Sequence, residues 1–118
     1  MYKAIEIAQY IVSKAIEQDA PVTNWKLQHM LYAAQQYTIQ QTGSPLFADN
    51  IEIKTTGNRS YPCIPAVYYK YGHYAAMPIT YSARIPILRF DVIAILEKVL
   101  AKNKELPHWA HMDEYIPR

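Results

Sequence analysis

Thr23 and Asn24, two residues able to cap a helix, stand just ahead of apolar side chains at Leu27, Met30, Leu31 and Ala34, and no other feature constrains this chain as strongly. Spacings of three and four line these residues along one stripe of a helix, which then has to be covered by a partner. The pattern predicts a helix from about Asn24 to Thr42, ended by Gly43, a residue suited to the left-handed conformation of many helix ends. Upstream, Ala4, Ile5, Ala8, Ile11, Val12, Ala15 and Ile16 recur with the same spacing while Lys3, Glu6, Lys14 and Glu17 fall elsewhere, which predicts a first helix over Tyr2 to Gln18. It must stop before Pro21, because the residue preceding a proline is pushed out of helical geometry. So short a connection predicts that the two helices pack stripe to stripe.

Downstream signals are weaker. Ile51-Glu52-Ile53 alternates like a short half-buried strand, and the Thr, Gly, Asn and Ser residues of 54–62 read as an exposed loop. Pro65 suits the first position of a short helix that ends at Gly72. Residues 79–88 are extended in character but interrupted at Pro86, so a strand there would lie at an edge or bulge. A last helix starts at Asp91 as N-cap and carries Val92, Ile95, Leu96, Val99 and Leu100 on one face. The tail beyond residue 104 has no periodicity and is expected to be loose unless Trp109 docks it. The fold class is therefore mainly α: a small single-domain helical bundle over residues 1–104, with one or two short β segments at about 50–54 and 79–88, and a tail over 105–118.

At 118 residues and 51% hydrophobic, the chain has material for one core and not two. No apolar run approaches the roughly 20 residues that cross a bilayer, and the charged amphipathic start does not read as a signal peptide, so the expected location is cytoplasmic. Cys63 is the only cysteine. That excludes an internal disulfide and a cysteine-based zinc site, and a thiol between Pro62 and Ile64 reads as a small buried apolar group.

Charge is uneven along the chain. Residues 1–53 hold three Lys against five acidic residues, whereas 54–104 hold eight Lys and Arg against Asp91 and Glu97. The basic stretch also contains Tyr61, Tyr68, Tyr69, Tyr71, Tyr74 and Tyr81. Three readings suit that mixture: a solvated face, a protein interface, where Tyr and Arg are enriched, or a binder of single-stranded nucleic acid.

Little here points to catalysis. Gly43, Gly57 and Gly72 share no phosphate-binding motif, the acidic residues are scattered, and only Asp113 and Glu114 are adjacent. His108 and His111 could share a helical face as metal ligands but have only Asp113 or Glu114 nearby as a third, so no metal and no cofactor are expected. His29, among apolar neighbours, reads as a packed, hydrogen-bonded histidine.

One ordered series of short motifs remains: Thr23, Lys26-Leu27-Gln28-His29-Met30-Leu31-Tyr32, Gln35, Gly43, Pro45-Leu46-Phe47, Ile51-Glu52, Tyr61-Pro62-Cys63-Ile64-Pro65 and Val67-Tyr68. In this order it resembles the Panacea domain, the phage-associated SocA/GepA-like antitoxin family, over roughly residues 5–79. Tyr61 stands where that family has a glycine, and the tryptophan that follows its Ile-Glu pair is missing. The resemblance implies a non-enzymatic bacterial protein of a prophage or mobile element that binds another protein, either neutralising a toxin or handing it to a protease as an adaptor. The alternative is a nucleic-acid-binding accessory protein that uses the basic, Tyr-rich residues 54–104. Candidate partner-binding residues are Trp25, Lys26, Gln28, Tyr32, Pro62, Pro65 and Tyr68. Lys26 and Gln28 lie at the margin of the apolar stripe, where a polar contact goes either to the Pro62-to-Pro65 segment of the same chain or to a partner.

Overall fold

The computed structural model describes residues 1–74, 77–81, 85–107, 110 and 112–117. Their order is α1 (Ala4–Glu17), α2 (Asn24–Thr42), β1 (Glu52–Thr56), β2 (Arg59–Cys63), α3 (Pro65–Lys70) and α4 (Phe90–Glu105), with 3₁₀ turns at Gly72–Tyr74 and Met112–Tyr115. This is the mainly helical bundle with a small sheet that the periodicity predicts. No described helix is long and apolar enough to cross a membrane.

Helix α2 is the hub, touching α1, α3, β2, α4 and the 3₁₀ turn at Met112–Tyr115. Leu27, Met30, Leu31 and Ala34 are completely buried, as their spacing requires, and burying a side chain the size of Leu or Met is worth about 1.5 to 3 kcal/mol. Thr23 caps the start, its hydroxyl accepting the Lys26 N–H at 3.2 Å. Gly43 closes the end at φ 77° and returns its N–H to the Ile39 carbonyl at 2.8 Å.

Helix α1 packs Ile7, Ala8, Ile11, Val12 and Ala15 inward. Its first turn is held from afar, since the Asp49 carboxylate accepts the Ala4 N–H at 2.9 Å. Its end differs in cause from expectation. Asp19 takes the left-handed conformation at φ 57°, and the Asp19 and Ala20 N–H groups return to the Ile16 and Ala15 carbonyls at 3.0 and 2.8 Å. That pair of bonds closes the helix ahead of Pro21.

The stretch 54–62, expected as a loop, is most of a hairpin. Strand β1 pairs antiparallel with β2, matching Glu52 to Cys63, Lys54 to Tyr61 and Thr56 to Arg59. Gly57 at φ 60° followed by Asn58 at negative φ makes a two-residue type II′ turn, the kind that matches strand twist. Hydrogen-bonded pairs alternate from the Thr56–Arg59 closing pair, so Pro62, which lacks an N–H, falls at a non-hydrogen-bonded position opposite Ile53. β1 is exposed along its length instead of half-buried, and burial concentrates at Pro62 and Cys63 of β2.

The second expected β segment, 79–88, forms no strand among its described residues. It is pinned at its ends: the Ile79 N–H bonds the Val22 carbonyl at 2.7 Å, and Ile79 and Leu88 are buried. Helix α4 starts two residues earlier than expected, with Arg89 and not Asp91 as N-cap, and Asp91 sits in the first turn paired to Arg89 at 3.2 Å. The tail is not loose: Ala110, Tyr115 and Pro117 are buried. Its anchor is Tyr115, stacked on the His29 ring at 5.2 Å. Trp109, expected to dock the tail, lies outside the described residues.

The turn Pro45–Phe47 is held by a backbone bridge to Tyr2, whose N–H bonds the Leu46 carbonyl at 3.2 Å, and by one side chain of α2. Gln35 accepts the Leu46 and Phe47 N–H groups at 2.8 and 3.2 Å and donates to the Phe47 carbonyl at 2.9 Å. Gln35→Ala leaves these buried groups without partners and should lower stability by about 3 kcal/mol or more in urea titrations. A loss below about 1 kcal/mol would show that water replaces the amide.

Candidate functional site

The site is assembled by polar residues in the first turns of α2. Asn24 and Gln28, one turn apart and both buried, share a bond from the Gln28 amide to the Asn24 carbonyl oxygen at 2.9 Å. Each then holds a separate backbone group. Asn24 donates to the Tyr68 carbonyl of α3 at 3.1 Å, and Gln28 accepts the Ile64 N–H, between β2 and α3, at 2.8 Å. Ile64 and Val67 are thereby seated in the core with no exposure.

This anchoring leaves an open cleft of about 300 Å³ between α2, the hairpin and α3, lined by Asn24, Trp25, Thr56, Arg59, Tyr61 and Tyr68. The hairpin contributes Thr56, Arg59 and Tyr61 because cross-strand register and the two-residue period of a strand put all three on one face. Trp25 packs against Tyr61 with ring centroids 5.0 Å apart and planes tilted 43°. Behind it the rings continue inward. Trp25 meets buried His29 at 4.8 Å, and His29 meets Tyr115. The packing expected of this histidine, though not a hydrogen bond, is shown by this sandwich between two aromatic residues.

Of the residues expected to bind a partner, Trp25 and Tyr68 line the cleft together. Gln28 and Pro62 are buried, and Gln28 is committed to bracing the Pro62-to-Pro65 segment, one of the two roles its position allows. Lys26 is partly exposed, and Pro65 is exposed at the first turn of α3; neither lines the cleft. Tyr32 lies farther along α2, its hydroxyl donating to Asp113 at 3.2 Å. Burial and that carboxylate raise its phenol above the ordinary value. Thr56 and Arg59 escaped sequence reasoning, although the dipeptide Gly57-Asn58, flanked by extended residues, carries the hairpin signal that would have found them.

Other chemistry gains little. Burial pushes the Cys63 thiol up despite nearby Lys54, so it stays protonated near neutrality. Among the described residues no three His, Cys, Asp or Glu side chains cluster to hold a metal. His108 and His111, weighed as metal ligands, lie outside the described residues. No family model, no curated protein and no solved structure matches this chain.

Bracing and rim roles separate cleanly by substitution. Gln28→Ala removes two buried bonds and should destabilise by about 1 to 3 kcal/mol, while Lys26→Ala should stay within about 0.5 kcal/mol of wild type. Equal effects in thermal or urea unfolding would refute the assignment.

Tyr115 generates a pH prediction. Burial, with the Glu114 charge adding to it, pushes its phenol up to about 12. The fold favours the protonated form, so the stability this gives is complete below the ordinary phenol value near 10 and is lost as pH rises towards 12. Tyr115→Phe should flatten the fall in urea midpoint between pH 9.5 and 11.5, by at most about 2 to 3 kcal/mol for a two-unit shift. Near pH 7 the variant should be no less stable, because the hydroxyl has no hydrogen-bond partner among the described residues. Tyr10, Tyr32 and Tyr71, also raised mainly by burial, contribute to the slope that remains.

Proposed function

We propose that this chain is a protein-binding module that presents the Trp25–Tyr61–Tyr68 cleft to a partner and performs no chemistry on it. One observation carries the reading: three aromatic rings and a guanidinium converge on an open cleft whose lining, among the described residues, contains no carboxylate, imidazole or thiol. Tyr, Trp and Arg are the residues that dominate binding energy at protein interfaces. Of the groups used in general acid-base or nucleophilic catalysis the described lining offers only the Thr56, Tyr61 and Tyr68 hydroxyls, with no carboxylate, imidazole or thiol beside them to activate one.

A stable complex buries about 800 Å² on each partner. Against a total surface of 6822 Å² that is roughly an eighth, so the cleft must be the centre of a larger face. Beside it α3 exposes Tyr69 at 89%. The resemblance to the Panacea domain supplies the biological form of the proposal. The partner is a toxin encoded beside this chain on a prophage or mobile element, neutralised directly or passed to a protease in the cytoplasm.

Single-stranded nucleic acid is the second reading, favoured by the same rings and Arg59. Two features weigh against it. Trp25 and Tyr61 are already packed on each other, leaving no slot for a base between them. Several cations of the basic stretch are engaged nearby: Lys54 with Glu52 at 2.9 Å, Arg89 with Asp91, Lys102 with Glu105 at 3.9 Å, and Lys98 with the Tyr37 hydroxyl at 3.0 Å. A phosphate track needs such charges facing outward together.

Co-expression with the adjacent small reading frame tests the proposal. That frame should be toxic alone and tolerated with this chain, and Trp25→Ala with Tyr68→Ala should abolish rescue while soluble, folded protein persists. In parallel, affinity for a ten-nucleotide oligo-dT should be weak. Tight binding that falls about 10³-fold or more between 50 and 200 mM salt, as six phosphate contacts require, would transfer the function to nucleic acid.

A further inference from the structure

We infer that the outer edge of β1 is a self-pairing surface, and that two copies of this chain join there antiparallel, Ile53 against Ile53, into one four-stranded sheet. The sheet of the single chain has two strands, so each has one side without a ladder partner among the described residues. A lone hairpin is only marginally stable, and added strands strengthen it. The two open sides are not equivalent. Hydrogen-bonded pairs within the hairpin fall at Glu52–Cys63, Lys54–Tyr61 and Thr56–Arg59, so Ile53 and Thr55 point their N–H and C=O groups away from β2, and Ser60 and Pro62 point theirs away from β1. Pro62 has no N–H to offer and is buried, which closes the β2 side. The β1 side keeps its donors, and all five of its residues are exposed.

Charge selects the occupant and the register. Edge strands ordinarily repel other strands with an outward lysine. Here Lys54 is paired to Glu52 at 2.9 Å, both half-exposed on one face of β1, while Ile53 on the opposite face is 51% exposed. Two antiparallel copies can centre on residue 52, 53, 54 or 55. Centring on Glu52 or Lys54 sets like charges opposite each other, and centring on Thr55 sets neither charge against its opposite. Centring on Ile53 sets each Glu52 against Lys54 of the other copy, at non-hydrogen-bonded positions where facing side chains come closest, and brings the two Ile53 side chains together. An acid and a base on either side of an apolar residue are thus completed by a second copy of the same strand, as a two-fold contact requires. So short an edge buries less than about 1,200 Å², which places the dimer in the weak class. Of β1 only Thr56 lines the cleft, so pairing at the edge is independent of what fills it.

The test is sedimentation equilibrium of the full chain at low salt, in a concentration series reaching about 1 mM, where a dimer with a Kd of that size is half formed. The wild type should rise from one chain mass towards two. Lys54→Glu and Glu52→Lys should each weaken self-association about 10-fold or more, because two attractive pairs become two repulsive ones, and an equimolar mixture of the two variants should pair at least as well as the wild type. Recovery in the mixture also shows that both variants are folded. Exchanging the charges within one chain, Glu52→Lys with Lys54→Glu, should restore the dimer. Ile53→Pro, which removes an outward donor and no hairpin bond, should abolish it. A wild type that stays monomeric throughout the series overturns the inference, whatever a foreign strand does at that edge. A dimer that survives both single charge changes and Ile53→Pro overturns it as well, because its contact then lies on another face.

Discussion

Two glutamines on α2 do for this fold what a third layer of regular structure does in larger ones. Gln28 and Gln35 lie two turns apart on the same side of the helix, and each satisfies backbone groups of a segment outside regular helix and sheet: Ile64 for the first, Leu46 and Phe47 for the second, where a single bridge to Tyr2 is the other support. Buried peptide groups without partners cost about 1 to 3 kcal/mol each, so segments lacking regular structure can enter a core only where a side chain completes them. A small chain gains from the arrangement. It lets irregular segments carry Leu46, Phe47 and Ile64 into the interior without further strands or helices.

The cleft is a consequence of that bracing. Asn24 and Gln28 hold α3 and the end of β2 against the start of α2, and the hairpin continues from the anchored residues. The space left between the hairpin face and the helix end is where Thr56, Arg59, Tyr61, Trp25 and Tyr68 meet. The residues that build the site therefore differ from those that face a ligand. Polar side chains in the first turn are consumed by construction, while the aromatic residues one position away stay available.

The row of rings from Tyr61 through Trp25 and His29 to Tyr115 ties the cleft to the C-terminal segment. Aromatic packing of this kind resists small displacements, since the inner rings, Trp25 and His29, are each in contact on two sides. The final 3₁₀ turn also reaches α2 through the Tyr32–Asp113 bond. The wall of the cleft that Trp25 forms is thus supported by residues about 90 positions away in sequence, and the end of the chain is part of the bundle.

Much of the framework was legible in the residues themselves. Periodicity located α1 and α2, Thr23 and Gly43 marked the ends of α2, and Pro65 marked the start of α3, because each of these signals acts through bonds within a few residues. Local signals were misread where two answers compete. Gly57-Asn58 serves a loop or a two-residue hairpin, and Asp91 serves as a cap or a first-turn acid. What the residues determined alone was an apolar stripe at Leu27, Met30, Leu31 and Ala34 that had to be covered. Only the tertiary structure decided that Gln28 and Gln35 face inward and that Arg59 joins Trp25 and Tyr68. Those choices depend on backbone groups 11 to 36 residues away and on cross-strand register, and spacing along the chain carries no record of such distances.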